Sequence, residues 1–164
     1  MTEETTEISL TVNGEAVTHT VPVRRHLVDF LRIDLNLTGS HLACEHGVCG
    51  ACTVRVNGAV ARGCLMLAVQ ADGADVVTIE GLSRSGEVAD LQMEFETRNA
   101  AQCGFCTPGM VLTAAELLAA GGMPSREVIR DHLSGNLCRC TGYQAIVDAV
   151  EATAKSRAGT GDSL

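Results

Sequence analysis

The sequence predicts an α+β protein in which a half built from strands and loops is followed by a helical half. Three observations predict this class. Alternating apolar residues around Asn-Gly turns fill the chain up to about residue 80, and helical periodicity dominates from about residue 90. The eight cysteines also divide evenly, four in each half. We therefore expect two small domains, residues 1–84 and 85–164.

The first half is predicted to contain two hairpins, a helix and one further strand. Asn-Gly pairs at positions 13–14 and 57–58 favour the tight turns that join antiparallel strands. The spacing of Val23, Leu27, Phe30 and Leu31 places them on one helical face. The predicted strands span residues 8–12, 16–21, 53–56, 59–61 and 76–79.

The second half is predicted to contain four helices, at residues 90–100, 107–120, 125–134 and 141–155. Pro108 stands where the first turn of a helix tolerates proline, and Thr141 with Gln144 forms a capping-box pattern at the start of the last helix. Residues 82–88 are expected to link the two halves. Residues 156–164 are expected to form a disordered tail.

Composition excludes several classes of function. A formal net charge of −8 and scattered basic residues do not suit nucleic acid, which attracts basic surfaces. No apolar run approaches the ~20 residues that span a bilayer. The stretch from Met1 to Glu7 lacks the basic and apolar regions of an export signal. We expect a cytoplasmic protein with no nucleic-acid partner and no membrane insertion, in which disulfides are a weak explanation of the cysteines.

The first cysteine set consists of Cys44, Cys49, Cys52 and Cys64. Its opening spacing, four residues and then two, is that of plant-type 2Fe–2S sites, whose fourth cysteine lies downstream. A two-residue turn at positions 57–58 places residue 51 opposite Cys64, so the fourth thiol returns beside Cys52. The intervening Gly47 and Gly50 let the loop wrap tightly and turn backbone N–H groups toward a cluster.

Two other metal centres stay open for this set on spacing alone. Zinc sites usually pair their cysteines in short knuckles, whereas three of these thiols lie within nine residues. A Rieske centre requires two histidine ligands, and only His46 stands in a suitable position.

The second cysteine set consists of Cys103, Cys106, Cys138 and Cys140. Cys103 and Cys106 alone resemble a thioredoxin-type redox pair, although their context is helical and not βαβ. If successive helices alternate in direction, those at 107–120 and 141–155 begin at the same end of a bundle. Both cysteine pairs would then meet where positive helix ends favour a negatively charged cluster. The alternatives to an iron–sulfur protein are a structural zinc protein and a dithiol–disulfide redox enzyme.

Four ordered motifs carry a family resemblance. In chain order, CEHGVCGACTV, RGC, QCGFCTPGM and GNLCRCTGYQ resemble the iron–sulfur subunit or domain of the xanthine oxidase family of molybdenum hydroxylases. The resemblance extends over about residues 7–155. It implies a plant-ferredoxin-like β-grasp domain followed by a four-helix bundle, each with one 2Fe–2S cluster.

The resemblance also implies roles for residues and partners. The first set matches the ferredoxin-like cluster site and the second set matches the bundle site. Gln102 matches the family glutamine that hydrogen-bonds the pterin, and Cys140 lies close to that pterin. Molybdopterin is expected on a large subunit and FAD on a medium subunit, in a dimer of heterotrimers. The chain would then relay electrons from molybdenum through its two clusters to FAD, with no substrate turnover by the isolated chain.

Overall fold

A computed structural model describes residues 3–160 of the chain. Within that part, the five strands are β1 (Thr5–Val12), β2 (Glu15–Pro22), β3 (Thr53–Val56), β4 (Ala59–Arg62) and β5 (Asp75–Val77). The six α-helices of the same part are α1 (Leu27–Asp29), α2 (Ile79–Ser85), α3 (Ala89–Thr97), α4 (Thr107–Ala119), α5 (Arg126–His132) and α6 (Gln144–Thr160). α1 continues as a π-helical turn over Phe30–Asp34, and 3₁₀ turns lie at Ala68–Ala71 and Leu133–Gly135.

The strands form one mixed sheet in the order β2-β1-β5-β3-β4. β1 pairs antiparallel with β2 and β3 pairs antiparallel with β4, so both predicted hairpins are confirmed. β5 lies between the hairpins, parallel to β1 and antiparallel to β3. Asn13 and Asn57 have positive φ angles of 53° and 50°, which the tight Asn-Gly turns require.

The first half has its own apolar core between the sheet and α1 with its π-helical extension. Leu27, Phe30 and Leu31 are fully buried there and pack with the β3 residue Val54. The helix begins at Leu27, so Val23, which was predicted to share its helical face, lies instead in the turn that follows β2.

The second core lies among the helices. Its large buried side chains are Leu91, Phe95, Met110, Leu112, Ile129 and Ile146. The predicted α+β class is confirmed, with a ferredoxin-like β-grasp sheet first and a helical bundle second. None of the helices within residues 3–160 has the length and apolarity needed to cross a bilayer.

The segment expected to link the halves is largely helical. α2 spans Ile79–Ser85, and Leu82 is 1% exposed within the core of the helical half. The predicted strand at 76–79 therefore ends at Val77, since Thr78 is the N-cap of α2. The predicted division between residues 84 and 85 falls inside this helix, which packs with the second half.

The prediction of a disordered tail from residue 156 is wrong for the residues that can be described. α6 continues to Thr160 because Arg157 binds the start of α3. Its Nε donates to Asp90 Oδ2 at 2.7 Å, and its Nη2 donates to Asp90 Oδ1 at 2.8 Å and to the Glu87 carbonyl at 3.0 Å. Residues 161–164 lie outside the described residues.

Polar contacts join the two halves. Arg55 of β3 makes two hydrogen bonds with the Glu87 carboxylate, at 2.8 and 3.1 Å. Glu116 of α4 accepts a hydrogen bond from the backbone N–H of Val60 in β4 at 2.8 Å. The sheet and the helices therefore hold the two cysteine sets in a defined relation to each other.

Candidate metal centres

Cys52 and Cys64 lie at the base of the β3–β4 hairpin. The backbone N–H of Gly63 donates to the carbonyl of Cys52 at 3.1 Å, which continues the pairing of the two strands. Both cysteines are 2% exposed and pack against Val28. Burial raises the pKa of Cys52 to about 11. The prediction that the hairpin returns Cys64 to Cys52 is confirmed.

Cys44 and Cys49 lie in the loop before the hairpin. The backbone N–H of Cys49 donates to Sγ of Cys44 at 3.4 Å. Backbone hydrogen bonds from His46 and Cys49 lower the pKa of Cys44 to about 6, because they stabilise the thiolate. The His46 ring is exposed, and its Nδ1 is hydrogen-bonded to the Cys44 carbonyl. The loop therefore presents backbone amides to a thiolate.

The second set forms two thiol pairs. The Sγ atoms of Cys103 and Cys140 are 3.4 Å apart, and both residues are exposed. Cys106 and Cys138 are half-buried and interact through their side chains. Burial, assisted by the Cys138 thiol, raises the pKa of Cys106 to about 12. The structure thus brings together two cysteine pairs that are distant in the sequence.

The helix ends differ from the predicted arrangement. Cys106 is the N-cap of α4, so this cysteine adjoins a positive helix end as expected. α6 begins only at Gln144, and residues 141–143 separate it from Cys140. The predicted capping box is wrong, because the hydroxyl of Thr141 accepts a hydrogen bond from the N–H of Tyr143 at 3.1 Å. Tyr143 has a φ of 67°, which a helix cannot include.

The loops that carry the two cysteine sets are hydrogen-bonded to each other. The backbone N–H of Leu137 donates to the carbonyl of Cys49 at 2.8 Å. The neighbouring Asn136 is 1% exposed, and its amide donates to the carbonyl of Gly50 at 3.1 Å. Arg62 of β4 donates to the carbonyl of Gly135 at 2.7 Å. A cysteine of the first set and the residue before Cys138 are therefore in direct contact.

A second contact joins the same two regions. The rings of His41 and Phe105 are stacked, with centroids 4.6 Å apart and an interplanar angle of 20°. Nδ1 of His41 is also hydrogen-bonded to the Phe105 carbonyl at 2.7 Å. His41 precedes the first set and Phe105 lies between Cys103 and Cys106. The sequence contains no sign of this contact, because nothing in the spacing of His41 and the motif that contains Phe105 relates the two residues.

The donor atoms fit a binuclear iron–sulfur cluster in each half. All eight cysteines are free thiols. They associate in pairs: Cys44 with Cys49, Cys52 with Cys64, Cys103 with Cys140 and Cys106 with Cys138. A 2Fe–2S cluster takes two thiolates on each iron, whereas structural zinc gathers four donors around one atom. The paired arrangement therefore suits the cluster better than zinc.

The remaining predicted site residue, Gln102, is exposed in the loop between α3 and α4. Two further residues of the site were not predicted from the sequence. A single sequence has no signal for a buried amide such as that of Asn136, which contacts a distant loop. Thr141 was assigned to a capping box, although its position directly after Cys140 could have suggested a contact with a thiol.

Comparison with known proteins agrees with this geometry. Residues 10–77 match the family model of the 2Fe–2S iron–sulfur cluster binding domain, and residues 78–151 match that of a second 2Fe–2S binding domain. The chain is 52% identical over 147 residues to the caffeine dehydrogenase subunit gamma of Pseudomonas sp. (strain CBB1), covering 88% of each chain. It is 53% identical over 144 residues to the nicotine 6-hydroxylase small subunit of Paenarthrobacter nicotinovorans, covering 88% of this chain and 87% of that one.

The chain belongs to the iron–sulfur subunits of the xanthine oxidase family of molybdenum hydroxylases. The crystal structure of quinoline 2-oxidoreductase from Pseudomonas putida 86 contains a chain of similar fold, with a TM-score of 0.89 and 46% identity, covering 98% of this chain and 99% of that one. This iron–sulfur subunit is an electron-transfer component of an oxidoreductase, and its cofactors are two 2Fe–2S clusters. The alternatives of a zinc protein and a dithiol–disulfide enzyme are set aside.

Proposed function

We propose that the two cysteine sets are the ligands of the two clusters. Cys44, Cys49, Cys52 and Cys64 hold the cluster of the first half, and Cys103, Cys106, Cys138 and Cys140 hold that of the second. The pairing of thiols within each set supports this assignment, because each iron takes two of them. Each cluster supplies a carrier of one electron at a time.

We further propose that the chain relays electrons between two partner subunits. The donor is the molybdenum cofactor of a large subunit, and the acceptor is FAD on a medium subunit, within a cytoplasmic dimer of heterotrimers. Electrons enter through the second set and leave through the first. The resemblance of the motifs supports this direction, and relatives named as the small or gamma subunit of caffeine and nicotine oxidoreductases support a multi-subunit complex.

The main support for this relay is the hydrogen bond from the Leu137 N–H to the Cys49 carbonyl, at 2.8 Å. Cys138 is covalently joined to Leu137, so a short path of covalent bonds and one hydrogen bond connects a thiol of each set. Electron tunnelling weakens steeply with distance and more steeply across gaps than along bonds. Two carriers joined in this way suit transfer from one to the other.

Gln102 is proposed to contact the pterin of the large subunit. It directly precedes Cys103 and is exposed in the isolated chain, where its amide is accessible to a partner. The exposed thiol of Cys103 lies on the same loop as Gln102, and the exposed thiol of Cys140 lies 3.4 Å from it, so this end of the helical half is the proposed docking surface for the large subunit.

The direction of the relay is tested by removing one cluster at a time in the complex purified through a tag on this chain. Caffeine, nicotine and quinoline, which are the substrates in the names of relatives, serve as reductants in rapid mixing. In Cys49→Ser, the substrate should still reduce the cluster of the second half but not the flavin. In Cys106→Ser, the substrate should reduce neither the remaining cluster nor the flavin.

Dithionite, which reduces each carrier directly, serves as the control: it should reduce the surviving cluster and the flavin if both are intact. The opposite pattern, in which substrate reduces the first-half cluster but not the flavin in Cys106→Ser and reduces neither carrier in Cys49→Ser, would reverse the proposed direction. Flavin reduction at the wild-type rate in both variants would exclude this chain from the relay.

A further inference from the structure

The loop around Cys138 and Cys140 is closed by three hydrogen bonds. The backbone N–H of Cys138 donates to the hydroxyl oxygen of Tyr143 at 3.0 Å. The backbone N–H of Tyr143 donates to Oγ1 of Thr141 at 3.1 Å. Oγ1 of Thr141 is in turn 3.1 Å from Sγ of Cys138. Thr141 therefore stands between the backbone of the loop and a thiol of the second set.

The chemistry of the groups determines the direction of the contact between Thr141 and Cys138. A threonine hydroxyl has one hydrogen to donate and lone pairs to accept with. The N–H of Tyr143 already occupies a lone pair, so the hydroxyl hydrogen remains for another partner. A cysteine bound to iron is a thiolate and has no hydrogen. With the cluster in place, Thr141 must donate to Cys138.

The effect of such a donor follows from charge. Reduction adds one electron, and hence one negative charge, to a cluster already held by four thiolates. A hydrogen bond to a ligating sulfur stabilises the more negative state, which raises the reduction potential. In the first set, Sγ of Cys44 accepts from the backbone N–H of Cys49. The sulfur of Cys138 also accepts from the backbone N–H groups of Cys140 and Thr141, but its Thr141 hydroxyl donor belongs to a side chain, so a single substitution can remove it.

We propose that Thr141 is a positioning residue that raises the reduction potential of the second-half cluster by donating a hydrogen bond to Sγ of Cys138. Tyr143 holds the hydroxyl in place, because its N–H binds the other side of Oγ1 and its own hydroxyl fixes Cys138 N–H. The inference rests on the proposed ligand role of Cys138. It adds a residue that adjusts the driving force for the relay without binding iron.

The test measures the midpoint potentials of both clusters in the purified full chain, by dithionite titration followed with electron paramagnetic resonance. Thr141→Val removes the hydroxyl and keeps the shape of the side chain. We expect the equilibrium constant for reduction of the second-half cluster to fall about tenfold, which lowers its midpoint potential by about 59 mV for one electron. The first-half cluster should keep its potential. Thr141→Ser, which retains the donor, should restore most of the wild-type value.

With both clusters assembled in the variants, three outcomes would overturn the proposal. These are unchanged potentials in Thr141→Val with both clusters assembled, an equal shift of both clusters, or a shift in Thr141→Ser as large as in Thr141→Val. Thr141→Ala repeats the test if valine crowds the loop. If neither variant assembles the second cluster, Thr141 serves assembly and not potential, and the proposal is overturned as well.

A separate variant distinguishes failure of this inference from failure of the ligand assignment. Cys138→Ser should abolish the native signal of one cluster only. If both native signals persist in that variant, the assignment of Cys138 as a ligand fails. If Cys138→Ser behaves as expected and Thr141→Val has no effect on potential, only the role of Thr141 fails.

Discussion

The side-chain amide of Asn136 donates a hydrogen bond to the carbonyl of Gly50 at 3.1 Å, although 86 positions separate the two residues in the chain. Its oxygen accepts from the hydroxyl of Thr113 at 3.1 Å and from Nη2 of Arg62 at 3.2 Å. Asn136 is 1% exposed, so a buried amide with satisfied donors and acceptors joins the two cluster-bearing loops.

Replacing Asn136 by alanine should destabilise this junction. The change leaves buried polar partners unpaired, which costs about 2–3 kcal/mol in unfolding free energy. The measurement is the urea concentration at which the visible cluster absorbance is half lost. Leu137→Ala is the matched control, because that side chain is 50% exposed and its backbone N–H remains. Equal midpoints for the two variants would show that the amide is not a structural link.

Replacing Gly50 by alanine should be worse than the same change at Gly58. Both glycines have positive φ, 73° and 87°, so alanine costs about 1–2 kcal/mol of backbone strain at either position. At Gly50 the new methyl group would also lie 2.6 Å from the Gly135 carbonyl, whereas nothing lies within 4 Å of it at Gly58. The clash adds about 1–3 kcal/mol.

Thermal loss of the cluster absorbance compares the two glycine variants. We expect Gly50→Ala to lose its clusters at a clearly lower temperature than Gly58→Ala. If the two variants melt together, the close approach of the loop at residue 50 to that at residue 135 does not contribute to stability.

Replacing Arg157 by alanine should release the last turns of α6. The pair with Asp90 is bidentate but one-third or more exposed, so we expect a loss of only about 0.5–1 kcal/mol. Hydrogen exchange of the backbone amides in residues 154–160 measures this loss of stability. Lys155→Ala is the control, since Lys155 pairs with Glu151 of the same helix at 3.2 Å. Faster exchange in Lys155→Ala than in Arg157→Ala would contradict the conclusion that Arg157 holds the last turns of α6 in place.

The same pair predicts a pH dependence. The guanidinium of Arg157 lowers the pKa of Asp90, so the folded state favours the carboxylate. The stabilisation is therefore fully present above the ordinary pKa of aspartate and is lost as pH falls through the lowered value. The protection of the α6 amides in the wild type should fall over that acidic range, and the fall should be smaller in Arg157→Ala, where the Leu91 N–H still favours the Asp90 carboxylate and Lys155 and Arg126 still favour that of Glu151.

The purified native chain should contain about four irons and four acid-labile sulfides, because each half holds one 2Fe–2S cluster. Reduction should give two electron paramagnetic resonance signals, since backbone amides surround one thiol set and a helix end adjoins the other. Cys49→Ser should alter one signal and Cys106→Ser the other. Loss of both signals from either variant, in protein that remains folded, would contradict separate sites, as would zinc in place of iron.

Gln102→Ala should leave both clusters assembled, because it removes no thiol. In the complex it should slow reduction of the clusters by substrate or weaken retention of the pterin, at a cost of about 1–3 kcal/mol for one buried hydrogen bond. Rapid mixing measures the rate, and Gln70→Ala in the first half is the control. If Gln102→Ala has full molybdenum content and its clusters are reduced at the wild-type rate, then Gln102 is an ordinary loop residue.

Local patterns in the sequence determined the fold class and the cysteine sets. The Asn-Gly turns act over two residues, and the hairpin at 57–58 returned Cys64 to Cys52 because strand pairing follows directly from a short turn. Helical periodicity located α4 and α5 to within a few residues for the same reason. The spacing of the cysteines indicated iron–sulfur chemistry because each set is completed within its own half.

Tertiary contacts decided what local patterns could not. α2 forms where a linker was predicted, because Leu82 is buried in the helical core, and α6 extends past its predicted end because Arg157 binds Asp90, 67 positions away. The contact of Asn136 with Gly50 likewise depends on how two domains pack. Hydrogen bonds between such distant residues have no periodicity or spacing in the sequence, so only the folded chain reveals the junction between the two cluster loops.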